Sequence, residues 1–117
     1  MLIEAVAIAH LASLLDVPVA AETPTDTAGN APQRYVTVEK TGGGGTNHIR
    51  EADLAVQSHA ESRLEAARLN ERVIEAMESL AELDDIGRCR LVSDYNWTDT
   101  RLRHYRYQAV FSVTYYG

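Results

Sequence analysis

The sequence predicts an α+β fold in which one mostly antiparallel sheet of about five strands packs with two helices. Apolar residues recur with helical spacing over residues 2–15 and again over residues 58–83. The remaining ordered segments alternate between apolar and polar residues, which is the two-residue period of a half-buried strand. Because the order is helix, three strands, helix and two strands, we expect a two-layer α+β sandwich.

The composition is that of a soluble globular protein, with 45% hydrophobic and 24% charged residues among 117. This length supplies material for one core, so residues 1–117 are expected to form a single domain. The formal net charge of -6 opposes binding to phosphate backbones, and we expect no sequence-specific nucleic-acid binding. The lone cysteine, Cys89, lies in a predicted strand, where an inert buried thiol and a reducing cytoplasm are expected.

The apolar N-terminal segment, residues 1–21, ends in small residues that resemble a signal-peptide cleavage site. It has no basic region, and Glu4, His10 and Asp16 interrupt its apolar run. The run is also too short for a membrane span, which needs ~20 predominantly apolar residues. We therefore expect a helix over residues 2–15, with no secretion and no membrane segment.

The next segments predict strands separated by loops. Pro18 cannot donate to a ladder, so the strand at residues 16–20 is expected to be very short or at an edge. Residues 22–33 are polar and rich in turn formers, which predicts a mobile loop. Residues 34–40 alternate clearly, residues 54–60 resume the pattern, and the intervening glycine run predicts the tip of a long-looped hairpin.

A second helix is expected from a capping box at Ser58 and Glu61 to about Leu83. Asp84 and Asp85 oppose the helix dipole and should end it.

The C-terminal third predicts a strand at residues 88–95, a turn at 96–100 and a long amphipathic strand at 105–115. The tyrosines of the last strand exceed what a small core needs, which suggests that part of it forms an interface. A strand this long at a sheet edge would be an aggregation hazard unless a partner or another strand covers it, which favours a defined oligomer.

No motif indicates an enzyme, a cofactor or a metal site. The glycine run lacks the spacing and the lysine of a phosphate loop. The histidines at positions 10, 48, 59 and 104 are scattered, with no metal-ligand spacing between them. Asp84 and Asp85 are adjacent and point apart if extended, and no nucleophile-elbow pattern is present. We therefore expect a protein that acts by binding other proteins.

Four segments, in their order and spacing, resemble tail terminator proteins of long-tailed bacteriophages and prophages, which are also described as tail-completion or head-tail joining proteins. These segments are Leu14-Leu15-Asp16-Val17-Pro18-Val19, Arg34-Tyr35-Val36-Thr37-Val38-Glu39-Lys40-Thr41-Gly42-Gly43, Asp53-Leu54-Ala55-Val56-Gln57-Ser58 before an Ala-rich helix, and Tyr95-Asn96-Trp97 followed by Arg106-Tyr107-Gln108. Together they span nearly the whole chain. The chain departs from the expected pattern at Thr98 and Thr100, where proline is common, and this should loosen the second turn.

The resemblance implies a virion assembly protein that forms a ring, commonly a hexamer, on the end of the tail tube. Its partners would be further copies of itself, the tail tube protein and a head-completion or connector protein. It would occupy the host cytoplasm during assembly and then the head-tail junction of the virion. Two loops, residues 42–48 and 97–103, are the expected docking surfaces. The candidate interface residues are Gly42, Gly43, Gly44, Gly45, Asn47, His48, Trp97, Asp99, Arg101 and Arg103.

An alternative is a host cytoplasmic α+β binding or regulatory module that acts as a dimer. Stoichiometry separates the two hypotheses, because only the first requires a ring. A small enzyme ranks last, since it needs a pocket with converging polar groups that the sequence does not indicate.

Overall fold

One five-stranded sheet with both helices on the same face forms the fold of residues 1–117 in a computed structural model. The elements are α1 (Ile3–Leu14), β1 (Val19–Ala20), β2 (Tyr35–Thr46), β3 (Ile49–Ala60), α2 (Arg63–Glu78), a 3-10 turn (Ser79–Glu82), β4 (Ile86–Asn96) and β5 (Tyr105–Tyr116). The strand order across the sheet is β1, β2, β3, β5, β4, and only the β1 and β2 pair is parallel. The predicted α+β class, with a mostly antiparallel sheet and two helices, is confirmed.

The core lies between the sheet and the two helices. Every fourth residue of α1 faces it, and alternate residues of the central strands do so as well. The buried apolar residues that meet there include Ile3, Ala7 and Leu11 from α1, Ala52, Leu54 and Val56 from β3, Leu69, Val73 and Met77 from α2, and Ala109, Phe111 and Val113 from β5. Full burial of each Leu, Val or Phe contributes ~1.5–3 kcal/mol relative to exposure. This leaves the opposite face of the sheet without a helix, and we call it the open face.

The long C-terminal strand β5 lies inside the sheet and not at its edge. It pairs with β3 along its whole length, from Tyr105 opposite Ala60 to Tyr116 opposite Ile49, and with β4 on its other side. Other strands of the same chain therefore cover β5, which was one of the two expected ways of covering it, and β5 itself gives no reason to expect an oligomer. The edge strand on this side is β4. The opposite edge carries only the two residues of β1, as expected for the segment around Pro18.

The predicted capping box at Ser58 and Glu61 is wrong, because Ser58 lies within β3. Pairing with β5 holds β3 extended as far as Ala60. The helix begins at Arg63, and Ser62 is its N-cap, with its hydroxyl oxygen accepting a hydrogen bond from the Glu65 N–H at 3.2 Å. The helical stretch then closes with the 3-10 turn before Asp84, as predicted.

The connection between β1 and β2 contains no helix or strand over residues 22–33. One carboxylate oxygen of Asp26 accepts hydrogen bonds from the N–H groups of Ala28 at 2.8 Å and Asn30 at 2.9 Å. These bonds lower the pKa of Asp26 and form a local turn.

Candidate assembly interface

The predicted loop at residues 42–48 is a strand extension with a two-residue turn. The four glycines, which were expected to form the hairpin tip, are paired within the ladder. Gly42, Gly43, Gly44 and Gly45 lie opposite Asp53, Ala52, Glu51 and Arg50 of β3. The tip is Asn47 and His48, whose φ values of 51° and 71° suit the tight hairpin turns that need positive φ at both central positions. The glycine strip (residues 42–45) therefore belongs to the outer edge of β2.

Two of these glycines have a local steric reason to be glycine. Gly45 has a φ of +150°, and an added Cβ would lie 2.4 Å from the Ile49 carbonyl oxygen. An added Cβ at Gly43 would lie 2.8 Å from the Glu51 carbonyl oxygen. Gly44 is different, because nothing lies within 4 Å of the position its Cβ would take. The chain fold therefore does not explain why residue 44 lacks a side chain.

The glycine strip leaves two carboxylates of β3 uncovered on the open face. Gly42 and Gly44 are the cross-strand partners of Asp53 and Glu51, so no β2 side chain stands beside those acids. Both acids are exposed. A hollow of about 250 Å³ lies here, lined by the two acids and by Gly43, Gly44 and Ala52. This corner of the sheet is acidic and open.

The second predicted loop, residues 97–103, is built by its own hydrogen bonds. One carboxylate oxygen of Asp99 accepts from the N–H groups of Arg101 at 3.1 Å and Leu102 at 3.2 Å. The Arg106 guanidinium lies over the Trp97 ring, 4.3 Å from its centroid, and its Nε donates to the Trp97 carbonyl at 2.9 Å. Leu102 is 68% exposed at the tip, next to Arg101 and Arg103. The loop thus presents an apolar side chain between two cations.

Thr98 ties this turn together, contrary to the expectation that it loosens the turn. Its N–H donates to the side-chain oxygen of Asn96 at 3.0 Å, and its hydroxyl oxygen accepts from the Arg106 N–H at 3.2 Å. Proline at this position would lack both the N–H and the hydroxyl.

The two loops lie at opposite ends of the sheet. Ile49, beside the Asn47-His48 tip, pairs with Tyr116, whereas Ala60 at the other end of β3 pairs with Tyr105, just after the second loop. Twelve residues of strand separate the ends, which is roughly 40 Å at ~3.3 Å per residue. The candidate residues therefore form two surfaces and not one.

The outer edge of β4 is a further surface that the sequence did not indicate. All eleven residues from Ile86 to Asn96 lack a strand partner on that side. Val92 is 52% exposed, Leu91 and Tyr95 are also exposed, and the side chains of Arg88 and Arg90 extend from the same strand. An unpaired strand of this length is a template for another strand.

A histidine pair on the open face was also missed in the sequence. His59 Nδ1 and His104 Nε2 lie 2.9 Å apart, and the His59 ring stacks on Tyr35 with centroids 4.2 Å apart. His59 is only 3% exposed. Its burial first, and then the charges of His104 and Arg106, lower the pKa of His59 to about 4. Burial and Arg106 also lower the pKa of His104, against a smaller opposing effect of Asp99.

These two rings are neutral near pH 7, and their mutual hydrogen bond engages one nitrogen of each ring. No group of three His, Cys, Asp or Glu side chains is arranged to hold a metal ion. Cys89 is half-buried, and burial raises the pKa of its thiol to about 11. Neither helix combines the length and the apolar character that crossing a membrane requires.

The sequence matches no protein-family model and no curated protein.

Proposed function

We propose that this chain is the tail terminator subunit of a long-tailed bacteriophage or prophage, which forms a ring on the tail tube and joins the tail to the head. Two features support the proposal: the ordered resemblance along nearly the whole sequence, and the placement of the two loops. The observation that carries it is this placement, with one loop at each end of a long sheet.

A ring between a tube and a head contacts a different partner on each of its two faces. If the strands run along the ring axis, the Asn47-His48 tip lies on one face and the 97–103 loop lies on the other. The molecule is 45 Å long in its greatest dimension, so both faces are within reach of a single subunit. The two ends also differ chemically, because one is a tight polar turn and the other carries Leu102 between two arginines.

The overall charge suits a ring around a DNA channel. The chain carries a net charge of -6, and like charges between the ring and the duplex disfavour a tight grip on phosphate. DNA passing through such a ring would then slide and not bind.

The test combines the purified protein with tail tubes and, separately, with the head-completion protein. We expect a ring of fixed stoichiometry, commonly six, at tube ends by electron microscopy and native mass spectrometry. His48→Asp alters one end, and R101D/R103D alters the other, so each variant is the control for the other. Each should lose one partner and keep the other. A stable dimer that ignores tubes would overturn the proposal and favour the regulatory dimer.

A further inference from the structure

The two lateral edges of the sheet are both incompletely paired. On one side, the whole of β4 has no partner. On the other side, β1 covers only Val36 and Thr37, and the Glu4 carboxylate accepts a hydrogen bond from the Lys40 N–H at 3.1 Å. The remaining outer edge of β2, beyond Lys40, is the glycine strip with its flanking threonines.

The two sides of the open face, next to these edges, carry opposite charges. The acidic side comprises Glu39, Glu51 and Asp53, and the basic side comprises Arg88, Arg90 and Arg106. None of these six side chains forms an ion pair within the chain, since the ion pairs are Arg34–Glu61, Arg34–Glu65, Arg68–Glu65 and Arg72–Asp16. Unpaired charges of opposite sign on opposite sides of the open face suit contact between two copies of the same chain.

The strand directions allow the same contact. From β2 to β3, from β3 to β5 and from β5 to β4, each step is antiparallel, so β4 runs opposite to β2. When identical subunits repeat around an axis along the strands, β4 of one lies antiparallel to β2 of the next. Such a head-to-tail contact closes into a ring when its rotation divides the circle.

The charged residues also lie at matching heights along the strands. Glu51 pairs with Thr114, which pairs with Arg88, and Asp53 pairs with Ser112, which pairs with Arg90. If the sheet continues across the contact at the same height, the two arginines face the glycine strip of the neighbour. The acids then lie one strand further on, about 10 Å from β4, because strands are ~4.8 Å apart. A strip without side chains leaves that path clear.

We propose, on the basis of the terminator function above, that the ring closes by β-augmentation between copies of this chain. The β4 edge of one subunit pairs antiparallel with the glycine strip of the next, and Arg88 and Arg90 cross the strip to Glu51 and Asp53. This assigns a role to Gly44, whose lack of a side chain the chain fold does not require.

The test uses two charge-reversed full-length variants, R88E/R90E and E51K/D53K, with native mass spectrometry and sedimentation as readouts. E71K/E78K on the exposed side of α2 is the matched control for E51K/D53K, because it makes the same charge change away from both edges. Each edge variant alone should weaken ring formation by on the order of tenfold or more, while the control should not. Mixing the two edge variants in equal amounts should restore an even-numbered ring of alternating subunits.

A steric variant tests the same contact without charge. Gly44→Val places its Cβ where no atom of the subunit lies within 4 Å, so it should keep the wild-type melting temperature. It should nevertheless block ring formation, because its side chain fills the crossing path. Rings that persist in all three edge variants would overturn this interface and leave the terminator function standing. Mixed dimers in place of rings would also overturn it. A wild-type chain that forms no ring even on tube ends would overturn both proposals.

Discussion

Acidification should destabilise this fold through His59, which is buried against Tyr35 and His104. Its pKa falls from an ordinary 6.5 to about 4 in the folded chain. Between these values the unfolded chain binds more protons than the folded chain, so stability falls as pH falls. The full difference corresponds to ~3 kcal/mol, and about 2 kcal/mol of it should be lost between pH 7 and pH 5. The lowered pKa of His104 acts in the same direction.

Urea unfolding at pH 7, 6 and 5, at one low protein concentration, measures this loss. His59→Asn should remove most of the pH dependence in this range, leaving the smaller part due to His104. His48→Asn is the matched control, because it removes an exposed histidine at a position with positive φ that Asn accepts readily. If His59→Asn keeps the full loss between pH 7 and pH 5, the account of the histidine pair is wrong.

Three further predictions concern local structure. Gly45→Ala should lower the free energy of unfolding by about 1–3 kcal/mol because of the positive φ at this position. Gly44→Ala should lower it by less than ~1 kcal/mol. Equal losses for the two variants in urea unfolding would contradict the geometry of the glycine strip. Ser62→Ala should cost ~1 kcal/mol by removing the helix cap, whereas Ser58→Ala should be neutral or stabilising, since it removes a buried hydroxyl that has no partner. If Ser58→Ala lowered the melting temperature more than Ser62→Ala did, the cap would be at Ser58. Cys89 at pH 8 should react with iodoacetamide ~100-fold more slowly when folded than in urea, because burial raises its pKa from 9.0 to about 11; similar rates would mean that the thiol is exposed.

Periodicity predicted the elements of this fold but not their order in the sheet. In residues 105–115 and 66–80, the apolar residues recur with the period of a strand and of a helix, because the side chains that face the core are apolar. The interior place of β5 depends on pairing with β3, whose residues are at least 45 positions away from their partners along the whole register. No local pattern encodes that choice, so the sequence did not show that β4, and not β5, is the edge strand.

Two serines show why the helix start was misplaced. Ser58 with Glu61 and Ser62 with Glu65 both fit the capping-box pattern. Local chemistry does not separate them. The register of β3 with β5 keeps Ser58 in the sheet and so leaves the cap to Ser62.

The candidate interface was predicted in part. The loop at residues 97–103 is present, whereas residues 42–45 are strand and only Asn47-His48 form a turn. The glycines were interpreted as a turn, although a ladder uses only backbone groups and accepts them. His59 and His104 meet because adjacent strands bring together residues 45 positions apart, and nothing in their spacing indicates it. The sequence also did not show that the arginines of β4 lie at an edge of the sheet, because this depends on which strand is outermost.

The interior position of β5, between β3 and β4, also constrains the order in which the sheet can form. During synthesis β1 to β4 emerge before β5. The strands β3 and β4 are therefore complete before β5, which pairs with both of them, has been synthesised. In that interval β3 has a free side and β4 has none of its ladder partners, which exposes two strands to pairing with other chains. High sequence separation between partners also slows folding. Nascent chains of this protein should therefore depend on chaperones or low local concentration until residue 116 is available.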